Sequence, residues 1–454
     1  MTPVNRPASV VLITIDSLRY DHLSCYGYKR QTTPFIDWLC ANGTRFDDVY
    51  ATSPMTPGSF KSIMTSTYPL TGGWTPFLEG WRPCLAEMLR SAGYFTVALH
   101  SNPWLSRYYG YDRGFDSFDD YLSATPRDPQ PERHTMGISF LNDIRSRLPK
   151  NHRSYSVLFL AKWLLGLRQD VDGLRLVLDV ARLNPRQPTF LWLHFMDAHT
   201  PYLRHSMSGR LTGSIANYFM NFHKEMIAPW IPNLIKLYDS AVKQVDRCVA
   251  MLYRELERLG LGLDNSVYIV TGDHGEEFLE HGKTSHSARL YNELLHVPLI
   301  LAGPGIPRRS NSGVRRSLLD VLPTILESVG SQTSNIAGSS LFTPVTIQPT
   351  ICEVALGPRA LGGAAAYGQA YSVLRSDLKY IVYFDRARSL VHEELYDIAE
   401  DPAEMVNLCT SKPSVLKTFR NAVSNHIDRE ERRFITLKLR HSGLGEPPKT
   451  VGKG

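Results

Sequence analysis

Short all-apolar runs alternate along this chain with longer segments whose apolar residues recur every three or four positions. Val10–Ile15 is an apolar, largely β-branched run that ends at Asp16. A run without polar alternation predicts a strand buried on both faces, as in a parallel sheet. Phe95–Leu99, Phe190–Phe195, Val267–Val270 and Val297–Leu301 read the same way. Helix signals lie between them. Thr33-Pro34 predicts a helix with Thr33 as N-cap and Pro34 at the first helical position, closed by Gly43. Thr56-Pro57 repeats that start, and a helix through Cys84–Arg90 ends near Gly93. From Leu234 to Leu259 the apolar positions 234, 238, 241, 245, 248, 252, 256 and 259 predict one amphipathic helix, stopped by Gly260 and Gly262. Strands alternating with helices predict an α/β fold, a mixed, mostly parallel sheet between helices. Ligands of such sheets sit beyond the carboxyl ends of the strands. Asp16, Asp273 and His274 each follow a predicted strand directly or within a short turn.

Two regions break the alternation. Residues 123–185 hold a Pro- and Arg-rich stretch and then an apolar segment, read as an insertion covering the site. After about residue 345 come β-like runs at Tyr371–Leu374 and Tyr380–Phe384 and a charged helix around 413–433. The expected organisation is a catalytic domain over 1–345 and a small C-terminal α+β subdomain over 346–454, its Gly443–Gly454 tail frayed.

Composition narrows the class. The 454 residues are 43% apolar and 21% charged, as in a soluble globular enzyme, and the net charge of +6 comes without a long basic run. Scattered solvated charge is the preferred reading, and no nucleic-acid partner is expected. The six cysteines form no CxxC pair, no apolar signal core precedes the first strand, and no run is long enough to span a bilayer. A cytoplasmic protein follows from these features. Arg145, Arg147, Lys150 and Arg153 precede the apolar Val157–Leu167 segment. That pairing could rest on anionic lipid, although a lid helix packed on the core is preferred.

The chemistry-bearing residues are scattered in sequence. Asp16, Asp273 and His274 offer carboxylate and imidazole ligands for a divalent cation: calcium, magnesium or manganese by the oxygens, zinc once the imidazole is added. Any one pair could be a turn or cap. Their combination with Glu276, Glu277, His281 and His286 is harder to explain structurally. Thr56 has two local readings. A Thr before Pro at a helix start is commonly an N-cap. The same position, with its backbone amides and partial positive charge, also suits a phosphate or sulfate and a nucleophilic hydroxyl.

Asp16 to Leu23, Thr33 to Asp37, Thr56 to Pro69, His194 to Tyr202, Gly272 to Glu277, Tyr291 to Pro298, Asp320 to Thr324 and Glu394 to Leu408 together resemble the sulfatase family of the alkaline phosphatase superfamily, in family order over roughly residues 9 to 410. The resemblance implies an alkaline phosphatase-like fold. It implies a metal held by Asp16, Asp273 and His274, with Thr56 as nucleophile and inner ligand. It also implies that His199 contacts the ester or leaving oxygen, that His286 binds substrate or assists the leaving group, and that Asn102 holds the anion. Arg19 and Asp21 are read as bracing the first loop.

The departures are equally informative. The family signature Cys-x-Pro-x-Arg reads Thr56-Pro57-Gly58-Ser59-Phe60 here, and threonine cannot become formylglycine. The Lys-x-His pair expected near residue 100 is absent, and Ser17 replaces a second acid after Asp16. The favoured expectation is therefore a metal-dependent hydrolase or transferase of phosphate or phosphonate esters that uses Thr56 and acts on a small-molecule, glycan- or lipid-linked anionic ester. The alternative is a sulfuric ester hydrolase working without formylglycine. A second alternative is a non-catalytic scaffold binding an anionic glycan.

Overall fold

A computed structural model describes residues 9–122, 173–186, 188–200, 202, 227–311, 313–331, 334–343, 349–357 and 368–443. Most of the expected insertion, its Arg145–Leu167 segment and the tail after residue 443 lie outside the described residues.

The central sheet is built from β1 (Ser9–Ile15), β2 (Gly43–Phe46), β3 (Phe95–His100), β4 (Ser117–Asp119), β5 (Thr189–Phe195), β6 (Ser266–Gly272), β7 (Leu299–Ala302) and β8 (Arg309–Asn311), in the spatial order β8-β2-β7-β6-β1-β5-β3-β4. β1 lies between β5 and β6 and is parallel to both, with Val10 opposite Phe190 on one side and Val267 on the other. Only β7 among these runs antiparallel to its neighbours.

The continuous apolar runs are explained by what covers the two faces. Side chains of a strand alternate. Val11, Ile13 and Ile15 enter a core with α1 (Pro34–Ala41), α4 (Gly173–Val180) and α5 (Ile231–Arg258). Val10 and Leu12 enter the opposite core with α2 (Thr56–Thr65), α3 (Leu85–Ser91) and α6 (Val321–Ser328). With both faces buried, no strand position can be polar without a specific partner.

Thr33 holds the N-cap position of α1 with Pro34 in its first turn, as expected, but the Thr33 side chain does not supply the cap. Its hydroxyl donates to Asp37 Oδ1 at 3.0 Å, while the first amides of α1 are capped from α5, where Asp246 Oδ1 accepts Phe35 N at 3.0 Å and Ile36 N at 2.8 Å. Gly43 does not end the helix either. Asn42 does, and Gly43 opens β2, where a Cβ would collide with the Leu301 carbonyl of β7.

The C-terminal unit is an antiparallel sheet of β9 (Thr350–Leu356), β10 (Gly368–Arg375), β11 (Leu378–Phe384) and β12 (Leu390–Asp397), with α7 (Pro413–His441) packed on it. α7 extends eight residues beyond the expected end at 433. This sheet shares a core with Tyr68, Leu70 and Leu319, so it buttresses the chain just beyond α2. Among the described residues no helix is long and apolar enough to cross a membrane.

Candidate active site

Four adjacent strands, β6-β1-β5-β3, deliver their carboxyl ends to one place. Asp16 follows β1, Asp273 and His274 follow β6, His194 lies near the end of β5, and Asn102 follows β3. All five are buried. α2 brings its first residue, Thr56, against them.

Thr56 occupies the first turn of α2, but Met55 holds the cap position in extended conformation and no side chain caps the helix. The Thr56 hydroxyl is turned instead into the cluster, 3.3 Å from His274 Nε2 and 3.5 Å from Asp16 Oδ2. Ser59 anchors the helix start by donating to the Asp273 carbonyl at 2.6 Å. The two signature departures have local causes. At Gly58 any Cβ would overlap the Ser53 side chain. Phe60 fills the apolar space between Tyr111 and Trp192, edge-on to His194 at 5.0 Å.

Ser17 ties the two acids together. Its amide donates to Asp273 Oδ1 at 3.1 Å and its hydroxyl to Asp16 Oδ1 at 2.9 Å, from a left-handed backbone with φ of 57°. Such a conformation is costly for a residue with a Cβ and persists where the surroundings enforce it. Asn102 donates to Asp16 Oδ2 at 2.9 Å, while its Oδ1 accepts Trp104 N at 2.9 Å.

The tautomer of His274 follows from its partners. Nδ1 faces the Gly275 carbonyl at 2.9 Å, so Nδ1 carries the proton. Nε2 is left as a lone pair aimed at Thr56, 3.6 Å from Asp273 Oδ2. His194 repeats the pattern. Thr14 Oγ1 accepts Trp192 Nε1 at 3.1 Å, donates to the Leu193 carbonyl at 3.2 Å, and lies 3.0 Å from His194 Nδ1. With its proton spent on Leu193, Thr14 accepts from Nδ1. His194 Nε2 therefore faces Asp16 Oδ2 across 3.3 Å.

The electrostatics favour a cation. Burial, and then the charge of Asp16, push the Asp273 carboxyl up to about 7. Burial would raise Asp16 as well, but imidazoles that carry charge or a proton toward it, His199 foremost and then His194 and His274, bring it well below the carboxylate range. Asp273 Oδ2 is buried without a hydrogen-bond partner. Donor atoms of Asp16, His194 and Asp273 all lie within 4.8 Å of one another, a group that could hold a metal ion.

Two more expected residues border this cluster. A hairpin of Glu277–Phe278 against Thr284–Ser285 returns the chain so that His286 lies over His274, ring centroids 4.5 Å apart. His199 lies 5.0 Å from His286, with Nδ1 on the Thr200 carbonyl at 2.6 Å and Nε2 on the other edge. All seven expected site residues, Asp16, Thr56, Asn102, His199, Asp273, His274 and His286, thus belong to one neighbourhood. His281 does not: it stacks on Tyr291 at 3.6 Å and pairs with Glu293. Arg19 grips Asp21 at 2.7 Å and the Glu276 carbonyl at 2.9 Å. Sequence reasoning does not single out His194. The signal available is a lone imidazole within an all-apolar strand.

The sulfatase family model matches residues 8–331. The chain belongs to the sulfatase family. Mouse arylsulfatase K is 25% identical over 91% of this chain and 78% of its own length. Among solved structures, a 2-O GAG sulfatase superposes with a TM-score of 0.68 at 19% identity, covering 99% of both chains. The phosphonate monoester hydrolase of Agrobacterium radiobacter superposes at 0.64 with 18% identity over 96% of both. The alkaline phosphatase-like α/β fold is thereby established. The phosphate or phosphonate preference expected from Thr56 is overturned. A family model covering most of the chain, together with an arylsulfatase aligned over nine tenths of it, supports sulfuric ester hydrolysis. Sulfatase-family enzymes are metal-dependent, and the buried Asp16, His194 and Asp273 donors suit that requirement.

Proposed function

We propose that this chain hydrolyses sulfuric esters with the Thr56 hydroxyl as nucleophile, without formylglycine. One observation carries the reading: a sulfatase-family chain places Thr56 Oγ1 not on its own helix start but 3.3 Å from the unprotonated Nε2 of His274. Asp16, Asp273, His274 and Thr56 would hold a divalent metal: calcium, magnesium, manganese or zinc. When bound, it draws charge from the sulfate oxygens and favours the alkoxide of Thr56.

The remaining chemistry falls to side chains. With its hydroxyl proton released to solvent, Thr56 Oγ1 attacks sulfur at the positive end of α2 while the bond from sulfur to the leaving oxygen breaks. His199, its Nδ1 fixed on Thr200, gives a proton from Nε2 to that oxygen. His286 orders His199 from the side. Asn102 keeps one amide hydrogen on Asp16 and offers the other to a sulfate oxygen. Water then attacks sulfur and gives a proton to the vacated Nε2 of His199, while the bond from sulfur to Oγ1 breaks and Thr56 returns to its alkoxide form. A GAG sulfatase among the structural neighbours suggests a sulfated sugar as substrate.

A panel of aryl sulfate, phosphate monoester, phosphate diester and phosphonate esters tests the reading on metal-loaded protein. The highest kcat/KM is expected on the sulfate; a clear preference for any phosphorus ester sinks the proposal. His199→Ala should lower kcat by about 10²–10⁴-fold on esters with basic leaving groups, and far less on acidic phenols. A leaving-group plot of equal slope in both proteins would remove His199 as the acid.

A further inference from the structure

The segment that follows Asn102 carries an exposed aromatic patch for which the core and the proposed chemistry have no use. Phe77 is 41% exposed, Trp104 48% and Tyr108 72%. They form one cluster with Tyr109: Phe77 lies 5.7 Å from Tyr108 and 5.2 Å from Tyr109, and Trp104 lies 5.4 Å from Tyr109. Exposed aromatic groups in mutual contact mark a binding surface more often than isolated ones do.

The patch is wired to the centre at both ends of its segment. Asn102, which holds Asp16, also caps the turn Pro103–Leu105 by accepting Trp104 N at 2.9 Å. Two residues of chain reach at most about 7 Å, so the Trp104 backbone stays close to the amide that holds Asp16. At the other end Tyr111 donates to the carbonyl of Pro57, the neighbour of Thr56, at 3.4 Å. The backbone that carries Trp104 and Tyr108 is therefore anchored beside Asp16 at one end and beside Thr56 at the other.

We infer that Phe77, Trp104 and Tyr108 form a sugar-stacking subsite, which seats a pyranose ring of a sulfated glycan next to the residue whose ester is cleaved. The size of the patch decides among occupants. At roughly 150–250 Å² per aromatic side chain, the exposed fractions leave on the order of 250–400 Å². That is well below the ~800 Å² that each partner of a stable protein interface contributes. It matches one or two sugar rings. The C–H face of a pyranose meets the negative face of an aromatic ring while its hydroxyls remain in water. A half-exposed platform supplies that mixed environment.

This subsite rests on the sulfatase reading, so its test separates the two. Binding of a heparin-derived tetrasaccharide to Thr56→Ala protein is measured with and without the added pair Trp104→Ala and Tyr108→Ala, where no turnover is needed. The platform predicts about a tenfold loss of affinity, with an unchanged unfolding temperature because both rings are exposed. With active protein, the ratio of kcat/KM on the tetrasaccharide to that on an aryl sulfate should fall about tenfold in the same pair. Equal affinity with and without the pair, or no binding to either, overturns the subsite. So does loss of liposome co-sedimentation in the pair without loss of glycan binding, which reassigns the patch to lipid. Tetrasaccharide binding that depends on the pair, in a protein that cleaves no sulfate ester, leaves the subsite standing and sinks the hydrolase reading alone.

Discussion

Thr56→Ala is expected to lower kcat on sulfate esters by on the order of 10³–10⁶-fold, the range seen when an enzyme loses its nucleophile. The fold should survive. Had Thr56 been the helix cap, alanine would cost about 0.5–2 kcal/mol. In this structure the α2 start is held by other groups: the Met55 carbonyl accepts Gly58 N at 3.1 Å and Ser59 N at 3.0 Å, and the Ser59 hydroxyl binds the Asp273 carbonyl. The unfolding midpoint of metal-loaded protein should therefore move little. Thr56→Ser keeps the hydroxyl and should retain much of the activity without forming an aldehyde. Acid-quenched wild type should carry one sulfonate group on the peptide containing Thr56. Near-wild-type turnover in Thr56→Ala would end the nucleophile assignment. An unmodified Thr56 peptide during steady-state turnover would argue for direct attack by water.

What the sequence reveals here depends on the range over which each signal acts. β1 and β5 are legible because a strand covered on both faces is apolar at nearly every position, and a six-residue window shows that; the exceptions, Thr14 and His194, hold specific partners. α5 is legible because one face meets the core at every turn: Leu234, Tyr238, Ala241, Val245, Cys248, Leu252 and Leu256 are all buried. Asp16, Asp273 and His274 are legible because chain ends of parallel strands are where ligands bind. The cap of α1 is not, since Asp246 reaches Phe35 from 211 residues away. His194 sits inside a strand, and only the pairing of β5 with β1 places it beside Asp16. The ester class is illegible for a different reason. Threonine offers a hydroxyl as the proposed attacking atom and cannot itself become formylglycine, but it does not choose between sulfur and phosphorus. That choice belongs to the groups around the ester.

Metal removal should abolish turnover, and metal affinity should depend steeply on pH. Asp273 is decisive. Burial and the neighbouring Asp16 raise its carboxyl from an ordinary 3.8 to about 7 in the metal-free fold. Its folded value lies above its unfolded one. Its contribution to the stability of metal-free protein is therefore complete below about 4 and is lost as pH rises through 7. His274, which burial lowers, acts in the opposite sense, because the unfolded chain binds its proton more readily. The two partly cancel in a plain stability profile. They do not cancel in metal binding, where every ligand must be deprotonated. A divalent ion has to displace the Asp273 proton, so the Kd for manganese should tighten about tenfold per pH unit between roughly 5 and 7 and level off above. Titration of chelator-treated protein at several pH values measures this directly. Asp273→Asn has no proton to displace; it should bind manganese far more weakly and flatten the pH dependence, while the metal-free variant no longer loses stability between pH 4 and 7 relative to wild type. A wild-type Kd that is constant from pH 5 to 7 would mean that Asp273 is already ionised without metal. In that case no proton waits on Asp273 to be displaced and the pH dependence falls, whereas an Asp273→Asn Kd equal to wild type would remove Asp273 from the ligand set.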